Sequence, residues 1–462
     1  MLEREKREYA GLPMTAIRRS RRARPPSSRA GRSRSNLLRR MATGVREKSI
    51  SKVVAFAALA IAAAGSTPSF ARVIHRHPTA SKRAAAAKEE APAVPLTAIH
   101  VLGDRPAPFA LDAKAAIMID ADTGAVLYAY NEHQKMQPAS LAKIMTFYLT
   151  LDALKAGKIV GATDVTISEK AWRLSMNDTV SRMFLQVGQK VGVNDLLYGL
   201  MVSSGNDAAV ALAEYLGGST DAFTQMMNDK AKEIGLKETH FDNPDGLPAE
   251  GEFTTAADMV ALARSLVNHH PESVKYTSAK EFAFDKIKQP NFNTLLFYDK
   301  RVNGIKTGHV DEAGYHLVAS ASSNGMNLLS AVMGAPSSER RRTETEKLIE
   351  WAFRTFVSYR PDLKKAIPAA IPVRDGVAET VAIGPGGAAV FTLGRGEESK
   401  VTVQFEPAVR YLEAPVHPAD PVGDLTVLLD GKPQATIPIV AKAGVTRAGF
   451  FGRLGQKIRR ML

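Results

Sequence analysis

The chain has 462 residues, 45% of them hydrophobic, with no cysteine and a formal net charge of +14. Without cysteine there are no disulfides, no thiol nucleophile and no Cys-ligated metal, and the ten histidines show no metal-ligand spacing. The charge does not signal nucleic acid either: residues 1–71 hold 16 Lys/Arg against 4 Asp/Glu, which leaves residues 72–462 near neutrality at +2.

In chain order, residues 18–40 are rich in Arg, Pro and Ser, and Met41 is an alternative start. Arg46, Lys48 and Lys52 then precede the apolar run 53–64, and Ser69-Phe-Ala71 closes it with a small-residue pattern. Residues 1–71 therefore read as an N-terminal extension and signal peptide, cut after Ala71; the apolar run falls short of the roughly 20 residues that span a bilayer. The pairs Arg18-Arg19, Arg21-Arg22 and Arg39-Arg40 raise a twin-arginine export route, but none is followed by the expected hydrophobic pair and Lys. Residues 72–105, rich in Ala, Pro, Lys and Glu and without apolar periodicity, read as a flexible linker.

The remainder exceeds one core and predicts two globular units. In the first, residues 106–358, the runs 115–120 and 125–130 flank Asp122-Thr-Gly124 as a hairpin. Pro138-Ala-Ser140 opens a helix with apolar Leu141, Ile144, Met145, Phe147, Leu149 and Leu151; Ser140 falls in its first turn with Lys143 at i+3 on the same face. Helical patterns follow at 193–201, 208–216, 222–234 and 256–267, then strands on either side of Asn324-Gly325, then a helix at 344–356. Strands at both ends with helices between predict an α+β fold, an antiparallel sheet carrying helices on its faces. Residues 362–441 alternate in short runs broken by Gly and Pro, a small all-β domain without a catalytic cluster, read as a spacer or interaction module. Residues 443–462 place Phe451, Leu454, Ile458 and Leu462 at helical spacing among Arg447, Arg453, Lys457, Arg459 and Arg460. That pattern predicts a basic amphipathic helix lying in an anionic membrane surface.

Three motifs carry chemistry: Ser140-Leu-Ala-Lys143, Ser204-Gly-Asn206 and Lys306-Thr307-Gly308. They supply a hydroxyl with an amine one turn away, a hydroxyl with a carboxamide, and a cation on a strand, the parts of a serine acyl-transfer site. Lys143 is the expected base for Ser140, which requires a neutral amine; burial and the charge of Lys306 would both depress its pKa. Ser204 would relay a proton to the leaving nitrogen and Asn206 would bind substrate backbone or orient Lys143.

With their gaps of 64 and 102 residues, these motifs resemble those of the penicillin-recognising serine enzymes, and in particular the low-molecular-mass penicillin-binding proteins that act as D-alanyl-D-alanine carboxypeptidases. The resemblance runs from about Pro108 into the C-terminal tail and includes Thr239-His-Phe-Asp-Asn243-Pro-Asp-Gly246-Leu247, Asn303-Gly-Ile-Lys-Thr-Gly-His309 and Ala313-Gly-Tyr-His-Leu-Val-Ala-Ser320. It implies the penicillin-binding, serine β-lactamase-like transpeptidase fold, with peptidoglycan stem peptides as substrates, β-lactams as covalent inhibitors, and no metal or cofactor. Lys306 and Thr307, beside Gly308, would bind the substrate's terminal carboxylate. The backbone N–H groups of Ser140 and His309 would form the oxyanion hole, where one donor is worth about 3 kcal/mol; no role is implied for the His309 side chain. Arg341, one of three adjacent arginines, is a candidate for the substrate-carboxylate Arg. Some relatives carry Asn-Arg-Asn where this chain has Asn291-Phe292-Asn293. No Glu-x-x-Leu-Asn lies between Asn206 and Lys306, so slow β-lactam release is expected rather than β-lactamase turnover. The expected activity is removal of the terminal D-alanine from stem pentapeptides on the outer face of the cytoplasmic membrane. A D,D-endopeptidase cutting cross-links with the same machinery is the alternative, ahead of a β-lactamase or a non-enzymatic wall-binding or β-lactam-sensing protein.

Overall fold

The computed structural model describes residues 106–461, with side chains as far as Gln456. The expected signal peptide and linker lie outside the described residues. Strands β1 (Ala115–Asp120) and β2 (Val126–Tyr130) come first, followed by a 3-10 turn (Ala139–Ala142) and α1 (Lys143–Lys155). A helical region then runs through β3 (Asp164–Thr166), α2 (Glu169–Met176), β4 (Lys190–Gly192), α3 (Val193–Met201), α4 (Asn206–Gly217), α5 (Thr220–Glu233), α6 (Ala256–His269) and α7 (Val274–Thr277). The hairpin β5 (Glu281–Phe284) and β6 (Ile287–Pro290) and the short α8 (Leu295–Tyr298) lead back to β7 (Val302–Val310), β8 (Gly314–Ser323) and β9 (Met326–Ala335), and α9 (Ser338–Thr355) closes the unit.

The five long strands form one antiparallel sheet in the order β2-β1-β9-β8-β7, so the first and last parts of the unit lie side by side at its centre. Alternation along β1 explains its unbroken apolar run. Ala115, Ile117 and Ile119 join the core under α1 and α6, while Ala116 and Met118 join a second core under α9. A sheet covered on both faces needs apolar residues at every position, unlike one with a wet side. The Asn324-Gly325 turn has φ of 50° and 77°, the left-handed pair that a two-residue hairpin requires. The α+β arrangement expected from the sequence is thus present, although helix 344–356 begins earlier, at Ser338, with the Ser337 side chain capping Arg340 N–H.

The second unit comprises β11 (Ala370–Arg374), β12 (Thr380–Pro385), β14 (Val401–Pro407), β15 (Leu412–Glu413), β16 (Pro421–Leu429) and β17 (Lys432–Ala441) in one sheet of order β14-β16-β17-β12-β11-β15. Between the units lies a strand pair: β10 (Phe356–Tyr359), at the end of the first, is antiparallel to β13 (Phe391–Gly394) of the second. The buried Asp120 carboxylate accepts O–H bonds from Ser358 (2.7 Å) and Thr392 (2.9 Å) across this junction, and Arg360 pairs with Asp122 at 2.7 Å. Burial raises the Asp120 pKa against those bonds.

The terminal helix is shorter than the expected 443–462. Val445 is buried and bridges to Val416, and Arg447 bridges to Gly376, so this stretch completes the β-domain. Helix α10 (Phe450–Met461) begins only after it, and Gln456 ties it back through bonds to Asp375 N–H (3.1 Å) and Gly376 C=O (2.8 Å). Phe450, Phe451 and Leu454 stand exposed at 69%, 85% and 47%. Among the described residues no helix is long and apolar enough to cross a membrane.

Candidate active site

Ser140 does not sit in the α-helix proper but in the 3-10 turn that feeds it, directly ahead of Lys143 at the start of α1. Ala139, before it, has φ of 51°, an unfavourable conformation for a residue with a side chain that holds the hydroxyl at a sharp corner. Two glycines permit that corner. A Cβ on Gly246 would lie 1.8 Å from the Ala139 carbonyl oxygen, and one on Gly308 would lie 3.0 Å from that of Pro138. His316, fully buried on β8, holds the approach segment. Its Nε2–H donates to the Gln137 carbonyl (3.1 Å), its Nδ1 accepts Gly334 N–H (2.9 Å), and burial drops its pKa to about 4, so the ring is neutral.

The Lys143 side chain is fully buried beneath the hydroxyl. Its Nζ lies 3.0 Å from Ser140 Oγ and 2.6 Å from Asn206 Oδ1, and also meets the Asp245 carbonyl oxygen. A neutral amine has two N–H groups and one lone pair; the two carbonyl oxygens can only accept, so they take both hydrogens and leave the lone pair for the serine O–H. Burial lowers the Lys143 pKa to about 8, against the opposing pull of Asp245, Glu252 and Asp207. The other lysine of the expected site, Lys306, is buried beside this amine, and the two repel one another. Its own fully buried amine is held well below the usual lysine range by desolvation, then by Lys143 and Arg341.

Ser204, 2% exposed with φ of 55°, lies in the turn between α3 and α4, and Asn206 opens α4. Asp207, unremarked in the sequence reading, anchors the facing wall: its carboxylate accepts the N–H groups of Met183 (2.8 Å) and Leu185 (3.3 Å) and the Ser175 hydroxyl (2.6 Å). Asn243, within the stretch 239–247 that carries the resemblance, gathers Gly246 N–H (2.6 Å) and Leu247 N–H (3.2 Å) at its Oδ1 into the turn that delivers the Asp245 carbonyl. Glu252, buried nearby, has a pKa pushed up to about 8 by desolvation and by Asp245 and Asp242.

One cleft of about 510 Å³ unites the pieces; Ser140, Ser204, Asn206, Thr307, His309 and Arg341 all border it, with Gly308 between the last strand residues. Lys143 and Lys306 are buried below. The His309 ring stacks on Tyr315 at 3.9 Å between ring centroids. Of the three adjacent arginines only Arg341 borders the cleft, donating to the carbonyls of Phe292 (3.3 Å) and His316 (3.5 Å), while Arg340 pairs with the buried Glu344 and Arg342 with Glu346. Helical spacing separates them, because Arg341 heads the buried series Thr345, Leu348, Ile349 and Ala352.

A serine hydroxyl and a buried amine at the edge of a two-faced antiparallel sheet have the make-up of an acyl-transfer site. Family profiles narrow it: one described as D-alanyl-D-alanine carboxypeptidase matches residues 103–337, and one described as penicillin-binding protein 5, C-terminal domain, matches residues 362–447. The chain belongs to the D-alanyl-D-alanine carboxypeptidase family. It is 39% identical to the D-alanyl-D-alanine carboxypeptidase DacA of Haemophilus influenzae over 352 residues, 74% of this chain and 88% of the relative. With DacC of Escherichia coli it shares 40% identity over 348 residues, 74% and 87% of the two chains. Among solved structures it is similar to penicillin-binding protein 5 from H. influenzae (TM-score 0.67, 38% identity, 75% of this chain and all of that one). Penicillin-binding protein 6B from E. coli is another neighbour (TM-score 0.61, 33% identity, 73% and 97%).

Proposed function

We propose that this protein is a serine-type D,D-carboxypeptidase that removes the terminal D-alanine from peptidoglycan stem pentapeptides. The observation that carries the reading is the Lys143 amine 3.0 Å from Ser140 Oγ, with both of its other neighbours acceptors. As a neutral base it takes the hydroxyl proton while Ser140 attacks the carbonyl of the penultimate D-alanine. The oxyanion is met by the backbone N–H groups of Ser140 and His309. Ser204 passes the proton to the departing amine, Asn206 keeps Lys143 in register, and Lys306, Thr307, Gly308 and Arg341 receive the terminal carboxylate. Water then hydrolyses the ester. β-Lactams present a strained amide with a neighbouring carboxylate to the same groups and acylate Ser140 as long-lived inhibitors.

The mature chain works outside the cytoplasmic membrane. Residues 1–71 serve as signal peptide, 72–105 as tether, 106–358 as peptidase and 362–441 as spacer, and the basic tail rests peripherally on anionic lipid, supported by the exposed Phe450 and Phe451. Incubation with intact and cross-linked muropeptides tests the reaction. Release of D-alanine from pentapeptides ahead of any dimer cleavage is expected; dimer cleavage without free D-alanine would favour an endopeptidase instead.

A further inference from the structure

The loop joining β6 to α8 is held through its backbone and two buried asparagines. Asn291 and Asn293, 5% and 2% exposed, turn their amides inward: Asn291 donates to the Ala279 carbonyl (2.8 Å) and accepts Asn293 N–H (2.8 Å), and Asn293 donates to the Gly304 carbonyl (3.2 Å). Between them, Phe292 N–H donates to the Val202 carbonyl (3.4 Å) and Phe292 C=O accepts from Arg341 (3.3 Å). The Phe292 ring, 42% exposed, lines the cleft together with Pro290, Leu247, Pro248 and Phe297, itself 49% exposed with the Lys280 ammonium 5.5 Å from its ring centroid. A fixed backbone presenting uncovered aromatic surface is a preorganised apolar contact, which binds without the cost of ordering a mobile segment.

We propose that Phe292, backed by Phe297, forms a subsite for the side chain of the leaving D-residue, so that the enzyme also removes terminal D-residues with apolar side chains larger than alanine. The inference rests on the carboxypeptidase reading, in which Arg341 and Thr307 hold the terminal carboxylate. Arg341 donates to the Phe292 carbonyl (3.3 Å) and both residues line the cleft, so a carboxylate held by Arg341 brings the residue that bears it to the wall that carries Phe292. The methyl group of alanine leaves most of the aromatic surface wet, whereas the side chain of D-leucine or D-methionine would cover it. An acidic side chain would lose hydration against the ring. The chemistry is unchanged: Ser140 Oγ bonds to the carbonyl carbon, the C–N bond to the D-residue breaks, the hydroxyl proton leaves on its amine, and water later frees the enzyme.

The test uses the purified protein and acyl-D-Ala-D-Xaa peptides in which Xaa is Ala, Leu, Met or Asp, with competent sites counted by titration with a fluorescent penicillin. For wild type, kcat/KM on the D-Leu and D-Met peptides should equal or exceed that on D-Ala, with D-Asp the poorest. Phe292→Ala should lower the D-Leu to D-Ala ratio about tenfold, chiefly through KM, and Phe292→Leu should restore most of it. If D-Ala is released normally but D-Leu is more than tenfold poorer in wild type, or Phe292→Ala leaves the ratio unchanged, the subsite is wrong and the carboxypeptidase reading stands. If titrated enzyme releases no terminal D-residue from any peptide, the reading fails and the subsite with it.

Discussion

At the scale of single residues the site turns on one proton. With the Lys143 pKa lowered to about 8 by burial, the amine is mostly protonated at pH 6 and mostly neutral at pH 9. Acylation by penicillin should therefore fall about tenfold per unit as pH drops below 8 and level off above it, as a stopped-flow pH profile would record. Lys143→Arg keeps the charge but cannot deprotonate, so essentially all acylation should vanish while the thermal transition persists. Near-normal acylation by that variant would remove Lys143 as the base. Arg341 makes a smaller point at the same scale, since it enters the cleft through its place on the buried stripe of α9 and not through its charge, which Arg340 and Arg342 share.

At the scale of elements, close backbone approach fixes the Ser140 hydroxyl. The turn 243–247 lies against the Ser140 corner so tightly that only glycine fits at 246, where φ is also 74°. Gly246→Ala should displace the Asp245 carbonyl from Lys143 and slow acylation by about 100-fold or more, since shifts near 1 Å are enough for such a loss. Full activity in that variant would show that the Asp245 contact is dispensable. The same comparison shows what the sequence made legible. The β1–β2 and β8–β9 hairpins, α3 and the site motifs were readable because each is a local pattern, periodic or punctuated by Gly and Asn. The Asp245 carbonyl was not, because a backbone acceptor 102 residues from its partner leaves no residue-type signal. Nor was the β10–β13 pair, whose strands of four residues lie more than 30 positions apart, or the β5–β6 hairpin, whose turn residues Asp285 and Lys286 lack the Gly that marks such turns.

At the scale of the whole molecule, the buried Asp120 carboxylate ties the peptidase unit to the β-domain through Ser358 and Thr392. Removing residues 450–462 should release a folded, penicillin-binding protein into the soluble fraction. Removing residues 445–462 should in addition lower the melting temperature, because Val445 belongs to the β-domain core. A pellet-bound 450–462 deletion would place the anchor elsewhere. The central claim, an acyl-enzyme on Ser140, is tested most directly by peptide mass spectrometry after brief exposure to benzylpenicillin. A single penicilloyl adduct on Ser140 that persists for minutes, and is absent from Ser140→Ala, is the expected result; an adduct mapped to another residue, or rapid turnover with no adduct, would contradict it.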